Sequence, residues 1–116
     1  MTFAVIEFEE YPDDWFRVLI SPVPLLMFEQ VFDAYNAASR SGLLPGPMRK
    51  LAARFAPVLE SWSRKDPVGE DGLAGLDMNL LLALVAEWIR GVREVPLPLP
   101  RRSSDGEPSG DLVTSP

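Results

Sequence analysis

Apolar and polar side chains alternate over residues 3–9, with Ala4, Ile6 and Phe8 on one side and Glu7 and Glu9 on the other. That two-residue period predicts a half-buried strand, its polar face diluted by Phe3 and Val5. Tyr11-Pro12-Asp13-Asp14 carries turn chemistry, because proline presets φ and aspartate bonds its own backbone. The β-favouring run over residues 15–20 comes next, so the first 20 residues read as a hairpin. Two strands are marginal in water, so the hairpin must lie on the helices that come after it.

Ser21, Pro22 and Pro24 give cap and first-turn signals, after which Leu25, Phe28, Phe32, Tyr35 and Ala38 recur at helical spacing. The first helix is expected over residues 24–40, ended by Ser41-Gly42. Pro45-Gly46-Pro47 separates it from a second periodic run through Met48, Leu51 and Phe55, which extends to Leu59 and Trp62 only if the helix survives Pro57. A break or kink is expected there. Residues 63–75, rich in Pro, Gly, Asp and Glu, read as a connecting loop, with Leu73 and Leu76 pinning its far end to the core.

Asp77 is placed to cap a third helix over residues 77–92, where Met78, Leu81, Val85, Trp88 and Val92 form an apolar stripe widened by Leu82 and Ile89. Leu80 and Leu84 lie off that stripe, so one buried face does not hide this helix. Either it is the central helix of the domain or a partner covers it. From Val95 onward, prolines and polar residues leave too little apolar surface to offset ordering entropy, and a disordered tail is expected. Its Val-Pro-Leu-Pro-Leu-Pro start favours polyproline II, as a spacer or as a ligand for an aromatic groove. The fold expected is mostly α: a small three-helix domain with an N-terminal β-hairpin over residues 1–94, then a Pro-rich disordered tail over residues 95–116.

Composition narrows the chemistry. The 116 residues contain neither cysteine nor histidine, which removes disulfides, thiolate metal sites, cysteine nucleophiles and the usual general base. An enzyme is not expected, nor a cofactor or metal. Seventeen acids against eleven basic residues give a net charge of −6, which argues against a nucleic-acid partner. The acids Glu7, Glu9, Glu10, Asp13 and Asp14 match no cation-binding loop and read as a solvated strand face and turn. Arg49, Lys50 and Arg54 read as a solvated helix face. Trp15, Trp62 and Trp88 lack interleaved basic residues and are expected in core or subunit packing rather than as stacking platforms. The N-terminus has no basic leader of a signal peptide, and the longest apolar run, residues 80–86, is well short of the roughly 20 residues a membrane span needs.

The run LLALVAEWIRGVREVPLPLPRRSSDGEPS resembles the end of the short tail assembly chaperones of long-tailed actinobacterial phages. The resemblance covers residues 72–110 well, and IEFEEYPDDW and PLLMFEQVFDAYNAA more loosely. Its most specific parts are Trp88 with the following Val-Pro-x-Pro-Leu segment and the RRSSDGEPS tail; none is a catalytic motif. It implies a factor of the host cytoplasm, absent from the mature virion and often made in two forms by ribosomal frameshifting. The shared domain of that family coats the tape measure protein, and the extension of the longer form recruits the major tail protein. Leu80, Leu84, Trp88 and Ile89 are the residues expected to contact the tape measure protein or, in self-association, a second copy, with plain core packing as the competing assignment. The alternative function is a virion structural protein, such as a head-tail connector or tail completion component.

Overall fold

The computed structural model describes residues 1–100; the polar part of the expected tail, residues 101–116, lies outside the described residues. Strand β1 (Thr2–Phe8) and strand β2 (Tyr11–Ser21) form the expected hairpin. The turn falls on Glu9-Glu10 instead of Tyr11–Asp14, for a reason visible in the register. Phe8 pairs with Tyr11 while Glu7 pairs with Trp15, so Pro12, Asp13 and Asp14 bulge out of the ladder. Pro12 therefore sits where its missing N–H breaks no ladder bond.

Helix α1 (Leu25–Arg40) matches the expected bounds closely, whereas helix α2 (Pro45–Phe55) takes the expected separator Pro45-Gly46-Pro47 into its first turn, where proline's missing N–H costs no helical bond. Between them, Gly42 (φ 75°) and Leu43 (φ 68°) take left-handed conformations, and the Leu43 N–H reaches back to the Ala38 carbonyl at 3.2 Å, closing the end of α1. The chain breaks at Pro57 as expected, in a 3-10 turn over Ala56–Val58. Beyond that turn the helical period is not realised: Leu59–Trp62 is a third strand, β3, antiparallel to β2, in a sheet of order β1-β2-β3. Within the expected loop, Glu70–Ala74 forms a short helix, α3, and helix α4 spans Met78–Glu94. The Asp77 side chain accepts the Leu80 N–H at 3.2 Å, the N-cap its sequence position favours.

The even-numbered residues of the hairpin face the helices. Phe16, Val18 and Ile20 are buried, and Ala4, Ile6 and Phe8 pack against them from β1. Helix α4 lies against β1, β2, α1 and α2, so it is the central helix of the domain. Its indole at Trp88 donates to the Leu19 carbonyl at 2.6 Å and stands edge-on to Phe55 at 5.8 Å. Among the described residues, no polar or charged residue is buried.

Candidate functional site

The sequence places Leu25, Phe28, Phe32 and Tyr35 on one side of α1 at spacings of three and four. The last member of the expected series, Ala38, is buried together with the adjacent Val31 and Ala34, whereas Leu25 is 72% and Phe32 36% exposed. Small side chains on the inner face let α1 and α2 approach closely. The consequence is that α1 presents its largest apolar side chains at or near the surface. Phe28 bridges the two environments, stacked on Phe32 at 5.7 Å and tilted over Trp88 at 5.8 Å. An aromatic series thus runs from the surface at Phe32 through Phe28 and Trp88 to Phe55 in the core.

Beside Phe32 and Tyr35, helix α4 contributes Ala86, Ile89, Arg90, Arg93 and Glu94 to an open groove of about 490 Å³. Ala86 keeps the floor low because it has no side chain beyond Cβ. On the α4 rim, Arg90 is held by Glu87 at 2.6 Å and Glu94 at 2.9 Å, while Arg93 joins no ion pair among the described residues. The groove therefore has an apolar floor of Phe32, Tyr35, Ala86 and Ile89, with the charged side chains of Arg90, Arg93 and Glu94 along its α4 side.

The four residues expected at the partner surface have a different place. Leu80, Leu84 and Trp88 are fully buried, and Ile89 is nearly so. Their burial follows from the central position of α4, which β1, β2, α1 and α2 cover together. Ile89 alone of the four lines the groove. Periodicity assigns Phe32 and Tyr35 to the buried stripe of α1, and it carries no sign that a neighbouring stripe of small residues displaces them.

Of the other marked residues, Trp15, expected in core or subunit packing, is 37% exposed, and the rest resolve into structure. Arg64 pairs with Asp14 at 3.1 Å, and the Trp15 N–H donates to the Ser63 hydroxyl at 3.0 Å, fastening the β2 bulge to the end of β3. Trp62 is buried with its indole N–H on the Asp66 carbonyl at 2.8 Å. Arg49 pairs with Glu70 and Asp71 of α3, and the attraction of Glu70, then Asp71, outweighs desolvation and holds its pKa above the ordinary arginine value. Among the described residues no three His, Cys, Asp or Glu side chains gather around one metal position, and no helix is long and apolar enough to cross a membrane. Comparison with known protein families, curated proteins and solved structures finds no match to this chain.

Proposed function

We propose that this chain is a tail assembly chaperone of a long-tailed phage, which takes helical segments of the tape measure protein into the groove between α1 and α4. The observation that carries this reading is the inverted size order on α1, where Val31, Ala34 and Ala38 are buried and Leu25 and Phe32 are left exposed. A helix that served the core alone would bury its large apolar side chains, since these yield the most on leaving water. Phe32 and Tyr35 line the groove beside Ile89, and the exposed Leu25, two turns before Phe32 on α1, extends the apolar face beyond it; together they form a receiver for an amphipathic helix, read through anchors one or two turns apart. Arg93 sets part of its chemistry: an acidic residue on the occupant's flank facing α4 meets a cation that joins no ion pair among the described residues. The sequence resemblance at residues 72–110 points to the same activity. On this reading the chain acts in the host cytoplasm, delivers the tape measure protein to the major tail protein and leaves before the particle matures.

The test is co-expression with the tape measure protein, size exclusion of the soluble fraction, and a repeat with Leu25→Asp and Phe32→Asp. The wild type should hold its partner in a soluble complex, and each variant should weaken it at least about tenfold while remaining folded. A wild type that elutes alone, or that is recovered in purified virions, would overturn the proposal and favour a structural component of the particle.

A further inference from the structure

Strand β1 forms one edge of the sheet. Its seven residues, TFAVIEF, include no proline and no lysine, and Glu7 is the one charge, on the face turned from the helices. Natural edge strands are usually short, charged, kinked or covered, because a free row of N–H and C=O groups pairs readily with another strand. Here the edge is straight enough for regular pairing with β2 from Phe3 to Glu7. Ala4, Ile6 and Phe8 pack on the core yet remain only half-buried, and Val5 at the centre of the strand is 56% exposed.

We propose that this edge receives β1 of a second copy of the chain, antiparallel, about a two-fold axis through Val5, to give one continuous six-stranded sheet. The strand is self-complementary in that register. Thr2 then lies opposite Phe8, Phe3 opposite Glu7, Ala4 opposite Ile6, and Val5 opposite Val5 of the other copy. Every inward residue meets an inward one, so the apolar face formed by Ala4, Ile6 and Phe8 continues across the axis. Charge is compatible with the same register: the Arg17 guanidinium, held by Glu60 at 2.8 Å, sits 4.3 Å above the Phe3 ring, so the opposing Glu7 arrives beside a cation with donors to share. Parallel pairing in register would instead set Glu7 against Glu7, which is unfavourable. This surface is separate from the α1–α4 groove, and the inference stands whether or not the groove takes a tape measure helix.

The test is the mass of the purified full chain in solution, by sedimentation over a range of concentration, with two substitutions at the axis. The wild type should approach the mass of two chains, and Val5→Lys should raise the dimer dissociation constant about tenfold or more by placing like charges opposite each other. Ser39→Lys, on the exposed side of α1, should leave the mass unchanged. Because the chain has no cysteine, Val5→Cys gives one thiol per copy at the axis. Directly opposed antiparallel residues have Cα atoms about 4.5 to 5.5 Å apart, within disulfide reach, so oxidation should link two chains. Ser39→Cys should not link. A single-chain mass at every concentration would overturn the proposal, and so would a dimer that Val5→Lys leaves intact and Val5→Cys does not cross-link.

Discussion

The Trp88 indole N–H donates to the Leu19 carbonyl at 2.6 Å across 69 residues of sequence, tying the central helix to the middle strand at the bottom of the core. The indole is fully buried, so no water can replace that bond. Trp88→Phe keeps an aromatic ring but loses the donor, and should destabilise the domain by about 2 kcal/mol. Trp88→Ala also opens a cavity between Phe28 and Phe55, and should cost about 3–5 kcal/mol. Urea denaturation monitored by circular dichroism separates the two; equal losses would mean that ring packing contributes little beyond the hydrogen bond.

Gly72 on α3 is a point of close approach. A Cβ there would lie 2.7 Å from the Pro67 carbonyl oxygen and 2.8 Å from two atoms of the Trp62 ring. The indole is itself fixed by its bond to Asp66, so it has little room to withdraw. Gly72→Ala should therefore cost about 1–3 kcal/mol, despite the better helix propensity of alanine. Thermal melts of this variant against Gly46→Ala, where nothing lies within 4 Å, isolate the steric effect.

Much of this fold is legible in the sequence because its helices carry punctuation as well as periodicity. Asp77 marks the start of α4, and Pro57 marks the end of the second helical run. Strand β3 is hidden because Leu59 and Trp62, three apart, suit a helix as well as a four-residue strand bent at its pairing with Val18. Periodicity leaves Leu80, Leu84 and Trp88 between partner contact and core packing, and the fold buries them, because a helix's apolar excess does not reveal how many elements surround it. The α1 face is legible only in part. Two apolar stripes lie side by side there, and the close packing of α2 on the small one is a tertiary choice that periodicity does not encode.

The Tyr11 hydroxyl donates to the Asp77 carboxylate at 2.8 Å, and that bond first, with desolvation and the charges of Asp77 and Glu10 behind it, raises the tyrosine pKa above its ordinary 10.0. A raised folded-state pKa stabilises the fold fully below the unfolded value and ceases to do so as pH climbs through the folded one. Wild-type stability should therefore decline between pH 10.0 and the higher folded pKa of Tyr11. Tyr11→Phe should melt lower than wild type near neutrality, with the gap closing over that alkaline window. Melting curves that stay parallel with pH would show that the bond contributes nothing to stability.

On the proposed function, substitutions at Leu25 and Phe32 should separate stability from partner binding. Leu25 is 72% exposed, so Leu25→Ser removes little buried surface and should shift stability by no more than about 0.5 kcal/mol. Phe32 stacks on Phe28, so Phe32→Ser should cost about 1 kcal/mol through the lost ring contact. On the proposed function both variants should nonetheless bind the tape measure protein at least about tenfold more weakly, since a few exposed apolar anchors carry most of the affinity of a helix-binding face. Leu84→Asp makes the contrasting case: it sets a carboxylate in a fully buried position and should abolish folding, and with it all binding. Binding measured by titration and folding by circular dichroism on the same samples decide the matter. Surface variants that lose folding and binding together would place Leu25 and Phe32 in the core's service, while variants that keep both would leave the groove without a role in holding the partner.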